Sequence, residues 1–269
     1  LNAEWFAAAF IQHSQFKIEM LVALLLFLVA FGAVLLLERY VHRRLHEVFL
    51  LITGHSEASI TLYSIVLLPG VALHELSHAL MATLLGVKVR KFSLKPERQR
   101  NGVVRLGYVE VLRSDNLRTS LIGAAPLIAG TVALLVIGAL VFNLSALRDA
   151  LEAGNVNTFV DVLRALPQVP DFWLWFYLVF AIANSMMPST SDTQSWPPVI
   201  GFLAVFSGLA LLVGGTQLIT AVTPTARLAL QWLTAAFALT ALIDLVMVAA
   251  LTVVTKVLSS LTGRRVEFK

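Results

Sequence analysis

The sequence predicts an all-α polytopic membrane protein of about six transmembrane helices, interrupted by a small membrane-associated β-hairpin. Three observations carry that expectation. First, 58% of the 269 residues are hydrophobic and only 13% are charged, against about 25% charged in soluble domains. Second, apolar runs of the roughly 20 residues needed to cross a bilayer recur along the chain. Third, one stretch between two such runs is rich in β-branched residues and turn signals, the signature of strands. The chain has no cysteine. Disulfides, thiolate nucleophiles and cysteine-based zinc sites are therefore excluded, and any metal must be held by His, Asp or Glu.

The first span is IEMLVALLLFLVAFGAVLLL, residues 18–37. The second covers about 59–85 and the third 121–142. The fourth, 172–187, is short and ends at Pro188. A fifth lies at about 199–219, where Gly214, Gly215 and flanking prolines allow a re-entrant shape, and a sixth at about 226–256. Residues 1–16 and 41–58 read as interfacial amphipathic segments. No segment reads as a cleavable signal peptide. No internal repeat is evident, and we read one domain in three parts: 1–58, with the first helix and its flanks; a core at 59–200; and 201–269, with the last helices and a basic tail.

Loop charge sets the expected orientation. Residues 86–118 carry nine Lys/Arg against three acids, whereas 144–171 carry two against four. With 86–118 and the tail in the cytoplasm, an alternating six-span path puts 144–171 outside. It also puts Arg39, Arg43 and Arg44 outside, one mild violation. Within 86–118, VKVRKFSL (87–94) and VVRLGYVEV (103–111) flank KPERQRNG. Pro96 ends the first run and Asn101-Gly102 is a strong turn signal, so 87–111 reads as a β-hairpin. A cationic loop gripping anionic headgroups is the plainer alternative.

VALHELSHAL, residues 71–80, places ionisable groups inside the second apolar run. A charged side chain at mid-membrane costs about 2.5–3.5 kcal/mol on insertion scales, so these groups need a reason. His74 and His78 share a helix face one turn apart and can bind one Zn²⁺. Glu75 stands beside the first ligand, where it can take and return the proton of a water that zinc acidifies. Buried, hydrogen-bonded histidines without metal are the plainer alternative. His42 and His46 have the same spacing but no glutamate at the second position, and they read as surface residues. A catalytic site wants a third protein ligand. The candidates are Asp192, Asp244, Glu110 and His55. Asp244 in mid-span reads better as a polar contact between helices, and Asp192 is preferred because it follows the break at Pro188 at matching depth.

These residues carry a resemblance. A polytopic chain with H-E-x-x-H in a span, the small-residue, proline-containing GAAPLIAG (123–130), and Asn184…Pro188…Asp192 resembles the site-two intramembrane zinc metalloproteases. That family's last motif is N-x-x-P-x-x-x-x-D-G. The Asn-to-Asp separation is kept here, Pro188 is displaced by one residue, and Thr193 replaces the glycine. The hairpin resembles the family's membrane-associated sheet. The resemblance implies hydrolysis of a peptide bond in a transmembrane protein substrate, with one Zn²⁺ on His74, His78 and Asp192 and Glu75 as general base. It also implies Asn184 on the substrate backbone or oxyanion; a residue satisfying backbone groups at a helix break is the alternative.

The hairpin edge would hold the unwound substrate as an added strand. The expected surroundings are a bacterial plasma membrane, with hairpin and C-terminus cytoplasmic. A partner protein for substrate selection is possible, since no separate substrate-selecting domain is recognisable, and no nucleic-acid partner is expected. Two further readings compete: an inactive relative serving as a binding or accessory subunit, and a zinc transporter, which would pair Asp244 with the histidines.

Overall fold

The computed structural model describes residues 2–98 and 104–264, with backbone only for residues 2–17, 98, 104, 105 and 216. Asn101-Gly102 lies outside the described residues. The chain is predominantly helical: α1 (Asn2–Thr53), α2 (Ser56–Val66), α3 (Leu68–Leu84), α4 (Asn116–Leu140), α5 (Leu144–Ala153), α6 (Val156–Ala165), α7 (Phe172–Ala183), α8 (Thr190–Thr193) and α9 (Trp196–Thr262). Among the described residues, four strands lie between α3 and α4: β1 (Val89–Ser93), β2 (Glu97–Arg98), β3 (Val104–Arg105) and β4 (Tyr108–Val111). β1 pairs antiparallel with β4, and β2 with β3, so the stretch folds back on itself as the expected hairpin.

Among the described residues, four helices are long and apolar enough to cross a membrane, or up to six if each of two bent pairs is one span. The second expected span is one of those pairs. α2 ends at Val66, and α3 starts after Leu67 at an angle of 73°. Pro69 in the first turn of α3 explains the break, since it has no N–H to donate and its ring clashes with the carbonyl four residues back. The fourth expected span is the other pair. α7 has 12 residues, roughly 18 Å at ~1.5 Å per residue, too short to cross alone, and it meets the preceding helical segment at 109°. The fifth and sixth are the two halves of α9, kinked at Gly215. There φ is +50° and ψ −143°, a conformation that glycine adopts without the steric cost of a Cβ. The half before the kink, Trp196–Gly215, buries none of its apolar window within the chain.

α1 and the second half of α9 form the spine of the bundle. They run parallel. Glu19 accepts from Arg227 at 2.6 Å, Phe27 and Phe31 both pack on Phe237, and Gly54 lies against the Arg264 guanidinium. The core between them joins Val34, Val41 and Leu45 of α1 to Leu134 of α4, Phe180 of α7 and Phe237 of α9.

Two sequence expectations change here. Residues 41–53 are not an interfacial segment but the continuation of α1, with Val41, Leu45, Val48 and Leu51 buried. His42 and His46 are not surface residues. They face α2, where His42 Nδ1 meets the Tyr63 hydroxyl and His46 Nδ1 lies 3.0 Å from Ser59 Oγ.

The same contacts lay α2 back along α1, so the chain between α1 and α3 does not cross the bundle. Arg39, Arg43 and Arg44 therefore share an end with Arg264 and the hairpin, not with α5 and α6 as the alternating path requires. The arrangement is testable because the chain has no native cysteine. In sealed membrane vesicles, Arg43→Cys and Lys88→Cys should react with an impermeant thiol reagent from one face and Asp161→Cys from the other. Labelling of Arg43→Cys together with Asp161→Cys would restore the alternating path.

Candidate functional site

His74, Glu75 and His78 lie on α3, all turned inward: Glu75 and His78 are each 7% exposed, and the His74 side chain 13%. His74 Nδ1 donates to the Ser185 carbonyl at 2.6 Å, and His78 Nδ1 to the Ile122 carbonyl at 2.7 Å. A carbonyl only accepts, so each Nδ1 carries a proton, and a ring that holds only that proton presents a bare lone pair at Nε2. Those two Nε2 atoms lie 3.1 Å apart. Asp192 completes the group, with Oδ1 at 3.5 Å from His78 Nε2 and Oδ2 at 3.9 Å from His74 Nε2.

Both carbonyls are available for an identifiable reason. In a regular helix the Ile122 carbonyl would accept from the N–H of residue 126. That residue is Pro126, buried inside α4, which has no N–H. The carbonyl it frees is the one His78 uses. Ser185 lies just beyond the end of α7, and the N–H four residues on, that of Ser189, donates instead to Asp192 Oδ2 at 2.7 Å. Helix interruptions thus supply the acceptors that fix both imidazole tautomers, the orienting role that outer partners play at metal centres.

Asp192 is fixed as firmly. It is the third residue of the short α8 and closes a capping box with Ser189, whose hydroxyl also donates to Oδ2 at 2.6 Å. With Oδ2 engaged twice, Oδ1 is the oxygen left to face His78. The segment around α8 rests on the start of α4. Ser120 Oγ donates to the Ser195 carbonyl at 2.7 Å, and a Cβ at Gly123 would overlap the Asp192 carbonyl oxygen. Gly70 permits the same close approach of α3 to the Ala181 carbonyl.

The three groups fit a metal ion. Three acceptor-only atoms converge within 4.8 Å. Tetrahedral Zn²⁺ with Zn–N of ~2.0–2.1 Å would set two ligand nitrogens about 3.3 Å apart, close to the separation found. Histidine and carboxylate ligands also accept other first-row metals.

Glu75 sits next to this group beneath the hairpin. A Cβ at Gly107, the residue before β4, would lie 2.8 Å from Glu75 Cγ, so glycine lets the hairpin close over the carboxylate. Asn184 is placed differently from what the resemblance implies. Buried at 3% exposure, it donates both amide hydrogens, to the Phe180 carbonyl at 2.9 Å and to Asp244 Oδ1 at 2.8 Å. No donor is left for an oxyanion, and these bonds describe a residue that closes a helix end. Asp244 makes the expected contact between helices, though with Asn184 rather than a Ser or Thr. Of the other third-ligand candidates, Glu110 lies on β4 opposite Lys91 and His55 is the residue before α2; neither joins the group.

Sequence reasoning passed over Gly70, Gly107, the use made of Pro126 and the capping of Asp192 by Ser189, which reads from sequence only as polar lining of a hydrated cleft. Only Ser189 had a local signal, the S-x-x-D spacing of a helix start.

Replacing Pro126 by Ala should give the Ile122 carbonyl a helical donor and release His78. Zinc affinity, measured by competition with a chelator, is expected to fall about 10–100-fold, the usual cost of losing such a partner, without loss of thermal stability. Unchanged affinity would show that the proline has no part in holding the ligand. Compared with protein families, curated proteins and solved structures, the chain matches none of them.

Proposed function

We propose that this chain is an intramembrane zinc metalloprotease that hydrolyses a peptide bond of a transmembrane protein. The observation that carries the reading is the convergence of His74 Nε2, His78 Nε2 and Asp192 within 4.8 Å, beside the buried carboxylate of Glu75. His74, His78 and Asp192 would hold Zn²⁺, which when bound would supply Lewis acidity to a water and to the scissile carbonyl. Glu75 takes the proton of that water on its carboxylate and returns it to the departing amine. The Ser185 and Ile122 carbonyls keep the imidazoles oriented throughout, and Ser189 holds Asp192.

A peptide bond inside a helix is shielded, because its carbonyl accepts the helical hydrogen bond. The substrate must therefore unwind. Among the described residues, β1 and β4 pair only with each other, so each offers an outer edge for an added strand. β4 begins one residue after Gly107, which touches Glu75, so a strand added there would pass close to the general base. Ser189, Thr190, Ser191 and Gln194 are exposed and supply a polar mouth beside Asp192.

Counting Arg39, Arg43 and Arg44 with the hairpin end strengthens its assignment to the cytoplasm, since basic residues concentrate there. A bacterial plasma membrane is the setting we infer. The transporter reading loses its main support, because Asp244 is paired with Asn184 instead of the histidines.

The test is cleavage of a panel of transmembrane peptides by purified protein in lipid nanodiscs. Wild type should cut, and Glu75→Gln should bind zinc to the same stoichiometry while its rate falls by about 100-fold or more, the scale of general acid–base catalysis. Zinc binding without cleavage of any peptide would favour a non-catalytic subunit instead.

A further inference from the structure

A cavity lies away from His74, beside the start of the apolar part of α1. It is enclosed by α1, α5 and α9 and has a volume of about 270 Å³. That is just under the ~300–1,000 Å³ of small-molecule clefts, the scale of a headgroup rather than a whole lipid. Val22 and Leu26 of α1 contribute apolar wall, while Glu19, Arg148, Glu152 and Arg227 contribute charge.

The charges are unevenly used. Arg227 donates through Nη1 to Glu19 at 2.6 Å, but its Nε is buried without a partner among the described residues. Arg148 is committed twice, to Asp149 at 2.7 Å and to the face of Trp232 at 4.6 Å. Glu152 makes no ion pair among the described residues. The Glu152 carboxylate therefore remains for a ligand, and the Arg227 side chain, 33% exposed, is reachable beside its bond to Glu19, in a lining with two positive and two negative groups.

The position matches a membrane boundary. Glu19 sits at the start of the most apolar helix window, and the neighbouring outer face of α1, Leu21 and Leu25, is exposed at 56% and 51%. A ligand here has its polar part among charges and its tail along apolar helix.

We propose that this cavity binds the headgroup of a zwitterionic aminophospholipid, with the phosphate on Arg227 and the ammonium on Glu152. A purely anionic headgroup would leave the Glu152 carboxylate without a cationic partner. A trimethylated ammonium has no N–H for Glu152. The inference rests on the chain being embedded in a bilayer and is independent of the metal site, so its failure leaves the protease reading intact.

The experiment is native mass spectrometry of the full chain, delipidated in detergent and titrated with phosphatidylethanolamine, phosphatidylglycerol and phosphatidylcholine of identical acyl chains. Soluble phosphoethanolamine serves as a fourth ligand. The ethanolamine lipid should be retained about 10-fold better than the other two lipids, with soluble phosphoethanolamine far weaker. Glu152→Gln, on the exposed side of α5, should abolish that preference without lowering Tm, and Arg227→Gln should weaken all three lipids. Equal retention of the three lipids, preference for phosphatidylglycerol, or a preference that survives Glu152→Gln would each overturn the proposal. Tight binding of soluble phosphoethanolamine would overturn the lipid as the occupant.

Discussion

Two imidazole rings that cannot satisfy each other set the terms for this fold. With each Nδ1–H committed to a backbone carbonyl, His74 and His78 aim lone pairs at one another across 3.1 Å, and a carboxylate joins them. Three acceptors turned toward one another repel, and their side chains are only 9–16% exposed. A cation satisfies all three at once. A proton on one ring satisfies the pair only by making an imidazolium, which Asp192 would then have to neutralise.

Most irregular features nearby serve this cluster. Regular helix leaves no carbonyl free, and free carbonyls are expensive in an apolar setting. At two of its helix breaks the chain meets that difficulty by giving the freed carbonyl a histidine partner. Pro126 frees the Ile122 carbonyl and His78 takes it. The end of α7 frees the Ser185 carbonyl and His74 takes it. The Asn184 amide satisfies the last turn of α7 and ties it to Asp244 on α9. Glycines at 70, 107 and 123 then allow the backbone approaches that bring three separate segments around one centre. These are constraints of distance as much as of chemistry.

The legible parts of this site were local ones. Spacing of four on a helix places His74 and His78 together whatever the tertiary structure does, and the capping signal at Ser189 depends on three following residues. Asp192 was reachable because a span ends near it. The hairpin announced itself by composition and turn residues. What escaped was set by long-range packing. Hydropathy is continuous through 59–85, so it does not separate a crossing from the 73° bend after Val66. The parallel course of α1 and α9 depends on Glu19–Arg227, Phe27–Phe237 and Gly54–Arg264, pairs about two hundred residues apart in the chain. His42 and His46 look solvated beside arginines until α2 folds over them. The motif analogy placed Asn184 on the substrate, whereas its hydrogen bonds turn it to Asp244.

The most direct test is X-ray absorption at the zinc edge on purified protein after dialysis against trace zinc, with metal quantified per chain. One zinc per chain, with two imidazole nitrogens at ~2.0–2.1 Å and carboxylate or water oxygen completing the shell, is the expected result. Asp192→Ala should lose oxygen from that shell or lose the metal. A protein that remains folded yet binds no stoichiometric metal would contradict the account, leaving the histidine pair held by a shared proton and the chemistry without its centre.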